Sequence, residues 1–169
     1  MKLIECVLEN AYVRLEPLNE SHRESLQEAT NADREIWTSL YPVSMAGEHF
    51  DPFWRRIQSD HASGAWIPFA VISTGKCIGI TCYIRPEEAN RCVDIGSTYY
   101  RPEFRGGLVN PAAKHLLLGH AFASRANRVQ FGVDALNARS RAAMKKLGAT
   151  EEGTLKARFE RGCGRGLTV

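Results

Sequence analysis

The order of apolar and polar residues in the N-terminal part of the chain predicts one strand followed by two helices. Residues 11–16 alternate between the two classes, which is typical of a strand, and Pro17 ends it. Apolar residues then recur at helical spacing in a stretch that opens at Asn19, and again near residues 48–61. Each of these stretches predicts an amphipathic helix.

Three antiparallel strands are predicted in the middle of the chain. Residues 67–73 and 76–85 are rich in Val, Ile, Phe, Tyr and Thr, and the Thr-Gly pair at residues 74–75 favours a tight turn. These two segments therefore predict a hairpin. A second turn at residues 86–90 leads to a third strand over residues 92–100.

A long helix follows the third strand, and a parallel strand follows the helix. Asn110 is a favoured N-cap residue and Pro111 suits the first helical position, so the helix is predicted from Pro111 to Arg125. Residues 128–134 alternate like a strand. A strand-helix-strand connection of this length is typical of two parallel neighbours in one sheet.

The remaining segments complete the predicted fold. A short helix is capped by residues 137–140 and stopped by Gly148, and a last strand is predicted over residues 151–160. The order of elements predicts an α/β (α+β) fold. Its single mixed sheet is mostly antiparallel, with a parallel step in its middle and helices on its faces.

Length and composition place the chain among single-domain globular proteins. Its 169 residues fit one domain spanning residues 1–169, and its 44% hydrophobic and 24% charged content lies near globular averages. The net charge of +3 is too small to indicate a nucleic-acid partner. Residues 139–169 carry eight Lys or Arg and three Glu, a local charge of +5. This stretch indicates either a solvated basic face or an anion site.

The cysteine and histidine patterns argue against a metal site and against a secreted disulfide scaffold. The five cysteines contain no C-x-x-C pair, and the five histidines show no metal-binding spacing. Glu5 and Glu9 lie where a signal peptide would need an apolar core, and no apolar run approaches the ~20 residues of a membrane span. We therefore expect a cytoplasmic protein with reduced thiols, no metal and no membrane anchor.

The loop directly before the long helix is a candidate anion site. It contains Arg105, Gly106 and Gly107, so a guanidinium, backbone N–H groups and the positive end of the helix dipole converge there. Two consecutive glycines also permit close approach of a ligand to the backbone. The residues by themselves leave a simple turn as the alternative.

Three further polar side chains are candidates for chemistry. Asn137 and Ser140 follow the parallel strand, where they would emerge beside the loop, although capping of the short helix is the favoured alternative. Asp94 lies inside a predicted strand, where a buried carboxylate must be paired or protonated. Such a carboxylate could serve as a general base, with a surface-facing position as the alternative.

Four segments together resemble the GNAT superfamily of acyl-CoA-dependent N-acyltransferases. Within it they are most similar to the branch of the bacterial ribosomal-protein N-terminal (alanine/serine) acetyltransferases. The four segments are residues 13–18, residues 94–100, residues 105–122 and residues 137–153. Their order and spacing cover nearly the whole chain.

The resemblance implies that acetyl-CoA binds where two parallel strands splay apart. Its pantetheine arm would pair with a strand backbone, and its pyrophosphate would rest on the loop before the long helix. The cofactor-binding residues implied in this way are Tyr99, Tyr100, Arg105, Gly106, Gly107, Val109, Asn110 and Asn137. Asp94 is implied as the general base, acting through a water, and Ser140 as the acid that protonates the departing thiolate.

The activity implied by the resemblance is transfer of an acetyl group from acetyl-CoA to a primary amine by direct attack. The acceptor would be a protein N-terminal α-amine or a small-molecule amine. Trp37, Tyr41 and Trp66 are the aromatic candidates for contacts with the acceptor, with packing in the core as the alternative. A catalytically idle module that binds acyl-CoA is the alternative function.

The C-terminal segment departs from the family pattern. Relatives continue for a further strand and a short helix beyond the position of Val169. We therefore expect an incomplete C-terminal hairpin. The strand edge exposed in this way would favour pairing with a second copy of the chain into a homodimer.

Overall fold

The computed structural model describes residues 1–41 and 43–155, and beyond them the backbone of residues 159–160 and 166–167. In chain order the elements are β1 (Leu8–Glu9), β2 (Arg14–Pro17), α1 (Arg23–Asn31), α2 (Ile36–Ser39), α3 (Phe50–Ala62), β3 (Trp66–Ser73), β4 (Lys76–Glu87), β5 (Cys92–Tyr100), α4 (Val109–Ala123), β6 (Arg128–Gln130), α5 (Ala138–Lys146), β7 (Phe159–Glu160) and β8 (Gly166–Leu167). None of the described helices combines the length and the apolar character needed to cross a bilayer.

Strands β1 to β6 form one mixed sheet in their chain order. All neighbouring pairs are antiparallel except β5 and β6, which run parallel. The predicted mixed α/β sheet is thus confirmed, as is the β3–β4 hairpin, whose turn residues Thr74 and Gly75 both have positive φ angles of 51° and 76°. Two positive φ angles at the turn match the twist of the flanking strands.

The parallel pair lies at the end of the six-stranded order, whereas the sequence predicted it in the middle. The prediction assumed a further strand over residues 151–160 after the parallel pair. Residues 151–155 are irregular, and residues 156–158 lie outside the described part of the chain. Phe159 pairs with Leu167 and Glu160 with Gly166 in a separate two-stranded sheet. The expected incompleteness of the C-terminal hairpin concerns residues that the structure describes only in part.

Two strands are shorter than predicted, and a side-chain turn explains the shorter start of one of them. Strand β2 begins at Arg14, since the Asn10 carboxamide oxygen accepts from the N–H groups of Tyr12 and Val13 at 3.0 and 3.1 Å. Strand β6 ends at Gln130 and not at residue 134. Beyond this end, the Asp134 carboxylate accepts from Leu136 N at 2.9 Å and closes a turn.

The helices also differ from the prediction at their starts. The helical stretch does open at Asn19, whose side chain accepts from Ser21 N in a capping box before α1. Helix α4 begins at Val109, so Asn110 lies in its first turn and is not the N-cap. Pro111 is tolerated there because the first turn of a helix has no partner for its N–H groups. The short helix α2 was not predicted.

Each face of the sheet carries one apolar layer. Helices α1, α2 and α3 cover one face, and helix α4 covers the other. The first layer contains large aromatic side chains, Trp37, Phe50, Trp54 and Tyr99 among them. The second contains Phe69, Tyr83, Tyr100 and Leu117. With both faces covered, the rim of the sheet is where backbone groups remain accessible to a ligand.

A bulge in β5 sets the shape of that rim. Ile80 pairs with Tyr99 and Cys82 with Gly96, so β5 has one residue more than β4 over this interval. Ser97 has a φ of 47°, a conformation typical of such an insertion. The two strands approach so closely here that a Cβ at Gly79 would lie 2.0 Å from the carbonyl oxygen of Tyr99.

The close approach at Gly79 predicts the cost of adding one methyl group. Gly79→Ala should lower the free energy of unfolding by about 2–3 kcal/mol, because a backbone atom cannot move aside as a flexible side chain can. Urea denaturation followed by circular dichroism measures the change. Gly119→Ala, in α4 with nothing within 4 Å of its Cβ, is the control and should raise stability by about 0.5–1 kcal/mol. A Gly79→Ala protein as stable as the parent would contradict the packing described for this bulge.

Candidate active site

The candidate site is the edge of β5 beyond its short pairing with β6. Residues 92–94 of β5 pair with residues 128–130 of β6, and the pairing stops at Asp94. From residue 95 to Tyr100, β5 has no strand partner on that side within the described residues. The parallel strands therefore leave a gap whose wall is one strand edge.

Two side chains contact backbone carbonyls along this edge. The Tyr41 hydroxyl donates to Thr98 O at 2.7 Å, and Nε of Arg105 donates to Tyr100 O at 2.7 Å. The next backbone group, Arg101 N, instead donates to Ile78 O of β4 at 2.8 Å. This alternation indicates that the carbonyls of Thr98 and Tyr100 point away from β4 and into the gap.

The glycine loop lies where this edge meets helix α4. Gly106 has a φ of 77°, and a Cβ at Gly107 would meet nothing within 4 Å, so the loop surface is open. Val109 and Asn110 are the first two helical residues, and N–H groups in a first turn have no intrahelical acceptor. Within the described part of the chain, these donors have no intrahelical acceptor and lie at the positive end of α4.

Arg105 extends away from this loop and toward helix α1. Its guanidinium donates to Asp33 through Nη1 at 2.5 Å, and it lies 5.0 Å from the centre of the Tyr99 ring. The side chain is only 14% exposed, and its Nη2 has no hydrogen-bond partner among the described residues. Arg105 therefore fastens the end of β5 to the α1–α2 turn, and its contact with a phosphate stays a prediction.

Tyr99 and Tyr100 bury their side chains on opposite faces of the sheet, which leaves only their backbone at the edge. The Tyr99 hydroxyl donates to Ala29 O at 2.7 Å, and its ring stacks on Trp37 at a centroid distance of 4.6 Å. Trp37 in turn donates from Nε1 to Thr30 O at 2.9 Å. The structure thus places Trp37 in the core, which is the alternative that the sequence left open.

Asp94 and Trp66 lie on one face of the sheet. Ile84 of β4 pairs with Trp66 of β3 on one side and with Asp94 of β5 on the other. Residues directly opposite one another share a face, so Trp66 and Asp94 are about 10 Å apart across the sheet. The Asp94 carboxylate, 18% exposed, is paired with Arg85 and accepts from Gln130 Nε2 at 3.1 Å. It lies where the pairing of β5 with β6 ends.

Asn137 caps helix α5, as predicted from its position. Its carboxamide oxygen accepts from Ser140 N at 2.9 Å, and its Nδ2 donates to Leu40 O at 3.4 Å. Ser140 lies half-buried in the first turn of α5. Since Tyr41 follows Leu40 and reaches Thr98, this segment links the start of α5 to the edge of β5. The structure therefore brings the Asn137–Ser140 turn and the β5 edge together.

The family profile described as an acetyltransferase (GNAT) domain matches residues 13–150, most of the chain. The chain belongs to this family. The matched range begins at β2 and ends after α5, so it includes the β5 edge, the glycine loop and the capped turn of α5.

Solved structures share this GNAT fold over nearly the whole chain. A candidate acetyltransferase from T. thermophilus is 28% identical, with a TM-score of 0.85 over 99% of this chain and 88% of its own. Two more distant structures show the fold alone. RimJ of Mycobacterium smegmatis in complex with CoA-disulfide is 23% identical, with a TM-score of 0.78 over 92% of this chain and 78% of its own. The Salmonella typhimurium acetyltransferase that modifies the N-terminal serine of ribosomal protein L7/L12 is 16% identical, with a TM-score of 0.82 over 96% of this chain and 95% of its own. No curated protein sequence matches the chain.

Sequence reasoning did not find Lys114, a residue of α4 in this GNAT domain that is only 2% exposed. Its Nζ donates to Thr98 Oγ1 at 2.7 Å and to Thr81 Oγ1 at 3.2 Å. Burial lowers the pKa of the Lys114 amine to about 7. A signal for it was present, because Lys114 stands three residues before Leu117 and seven before Ala121, on the apolar face of the helix.

Tyr41 is the other residue whose position the sequence did not indicate. It was considered only as an acceptor contact, yet its hydroxyl lies on the β5 edge. Burial raises the pKa of this hydroxyl to about 12, so it remains a proton donor throughout the neutral range. Trp66, the third aromatic candidate, lies partly buried under the guanidinium of Arg56 at 5.8 Å. Within the described part of the chain, no three potential metal ligands cluster.

Proposed function

We propose that this GNAT domain transfers an acetyl group from acetyl-CoA to a primary amine. The observation that carries the proposal is the continuity of the β5 edge with the loop before α4. Outward-pointing carbonyls at Thr98 and Tyr100 lead directly to unpaired N–H donors at Val109 and Asn110. An amide-containing arm with a pyrophosphate at one end matches both halves of this surface.

The residues of the edge fit such an arm, provided that two side chains move. Amide N–H groups of a pantetheine arm would donate to the carbonyls that now accept from Tyr41 and Arg105. The open surface at Gly106 and Gly107 would admit the pyrophosphate. Asn137 at the start of α5 contacts Leu40 O, next to the Tyr41 that lies on this edge, and its carboxamide could bind the polar groups of the arm.

The proposed chemistry is direct attack of a neutral amine on the thioester. A carbon–nitrogen bond forms and the carbon–sulfur bond breaks, so the amine loses a proton and the departing thiolate gains one. Asp94, whose carboxylate is paired with Arg85 and accepts from Gln130, would take the amine proton through a water. Ser140, in the first turn of α5, would protonate the thiolate.

The proposed acceptor is a protein N-terminal α-amine or a small amine of similar basicity. An α-amine with a pKa near 7.7–8.0 is about a tenth or more neutral at pH 7, whereas a lysine side chain with a pKa near 10.4 is almost wholly charged. A base that acts through a water suits the more easily deprotonated group. Trp66 and Ile84 lie on the same face of the sheet as Asp94 and offer an apolar surface beside that base. The modification of an N-terminal serine by the Salmonella typhimurium acetyltransferase supports the same acceptor class.

Calorimetric titration with acetyl-CoA, followed by a thiol-release assay over amines and N-terminal peptides, tests the proposal. We expect micromolar binding and release of one thiol for each acceptor acetylated. Absence of binding would overturn the proposed cofactor site. Binding without turnover on any amine would instead support an idle acyl-CoA-binding module.

Asp94→Asn tests the proposed general base. It should lower kcat/KM by about 10- to 100-fold below pH 7, at the low end of general-base effects, and by less at pH 9, where the acceptor is already neutral. Rates measured from pH 6 to 9 give the profile. Glu88→Gln, an exposed carboxylate in the turn before β5, is the matched control and should leave the profile unchanged. If Asp94→Asn keeps the parent's profile while folding normally, Asp94 is not the base.

A further inference from the structure

Lys114 lies where an apolar residue would ordinarily face the sheet. Its neighbours on the sheet-facing side of α4 are Ala113, Leu117 and Ala121, all fully buried. Among the described residues, Lys114 is the only Lys, Arg, Asp or Glu that is fully buried. Burying an ammonium group costs several kcal/mol unless it is compensated. A lysine in this layer therefore needs an explanation beyond packing.

The partners of Lys114 are hydroxyl groups and not carboxylates. Its Nζ reaches the Oγ1 atoms of Thr98 and Thr81, and these two oxygens lie 2.9 Å from each other. No ion pair involves Lys114 within the described residues. The titratable group that acts on the Lys114 amine is the thiol of Cys82. Tyr83 and Tyr100 belong to the same apolar layer as helix α4. Burial raises the pKa of each of these three groups above its ordinary value, so all three stay neutral.

The hydroxyl network connects Lys114 to the β5 edge. Thr98 follows the bulge residue Ser97, its hydroxyl also donates to Gly96 O at 3.3 Å, and its carbonyl points into the gap. The side chain of Thr98 thus connects Lys114 Nζ directly to the backbone of β5 at the bulge. Because this layer is buried, water and salt screen a positive charge on Lys114 only weakly.

We infer that Lys114 is a positioning residue for acetyl transfer, which in its protonated form holds the Thr98 hydroxyl and places a positive charge behind the bulge. That charge stabilises the negative charge that develops on the thioester oxygen and on the departing sulfur. The inference rests on the proposed function, and it assigns to the bulge an electrostatic role besides its shape.

The protonation state of Lys114 makes the inference measurable. Since burial lowers the pKa of its amine to about 7, the charge is present below pH 7 and is lost as the pH rises through this value. The benefit of Lys114 to kcat should follow the same curve. A purely structural lysine would alter kcat by a factor that does not depend on pH.

Lys114→Met tests the role, because methionine is an unbranched apolar side chain one atom shorter than lysine and removes the charge. The ratio of parental kcat to variant kcat cancels the titration of the acceptor. We expect a ratio of about 10 at low pH that falls toward 1 at high pH, with its midpoint at the pH where the Lys114 amine titrates in the acetyl-CoA complex. Lys76→Met, at an exposed position in the β3–β4 hairpin, is the matched control and should leave kcat unchanged at every pH. A ratio that is constant with pH, or equal to 1 throughout, overturns the inference.

Two threonine variants keep the test decisive if Lys114→Met does not fold. Thr98→Val removes the hydroxyl that connects Lys114 to the edge. The ratio of parental kcat to variant kcat should therefore fall with rising pH, as it does for Lys114→Met. Thr81→Val removes the hydroxyl that lies on β4, and it should change the kcat ratio less than Thr98→Val does. Equal effects of the two threonine variants would contradict the proposed connection through Thr98.

A measurement on the parent protein separates this inference from the proposed function. Nuclear magnetic resonance of ¹⁵N-lysine-labelled protein should show one amine that titrates near pH 7, and acetyl-CoA should shift its midpoint. A midpoint that does not respond to bound acetyl-CoA overturns the role of Lys114. Failure of the parent to acetylate any amine would count against the proposed function instead.

Discussion

The close approach of β4 and β5 at the bulge is the constraint on which the rest of the site depends. Gly79 permits this approach because it has no Cβ, and Ser97 absorbs the additional residue of β5. Beyond the bulge, the carbonyls of Thr98 and Tyr100 face away from β4. The pairing of β5 with β6 ends at Asp94, before the bulge begins at Gly96. The end of this pairing and the bulge together leave the edge of β5 open as a candidate binding surface.

Three elements distant in sequence converge on this edge and hold it in place. Tyr41 reaches it from the segment after α2, Arg105 from the loop before α4, and Lys114 from the second turn of α4. Arg105 also donates to Asp33, so it joins the end of β5 to the turn between α1 and α2. The side chains of Tyr41 and Arg105 satisfy carbonyls that would otherwise lie unpaired in the gap. A cofactor that pairs with β5 must exchange its own donors for theirs.

The periodic segments were predictable from sequence, and the long-range contacts were not. Strand β5 and the β3–β4 hairpin follow directly from their β-branched and aromatic residues and from Thr74 and Gly75. The start of β2 shifted because the short side chain of Asn10 formed a local turn. The positions of Asn137 and Asp94 were anticipated, but the contact of Tyr41 with Thr98 spans 57 residues. No local sequence pattern encodes such a contact. The position of Lys114 on the apolar face of α4 is only a weak indication of its contact with Thr98.

Amide hydrogen exchange along β5, with and without acetyl-CoA, tests the central claim most directly. If a pantetheine arm pairs with this edge, the amides of residues 98 and 100 should exchange more slowly in the complex. The amides of residues 92–94, already adjacent to β6, should change little. Binding that protects another part of the chain and leaves residues 98 and 100 unchanged would contradict the account, because the edge of β5 would then not be the surface that acetyl-CoA recognises.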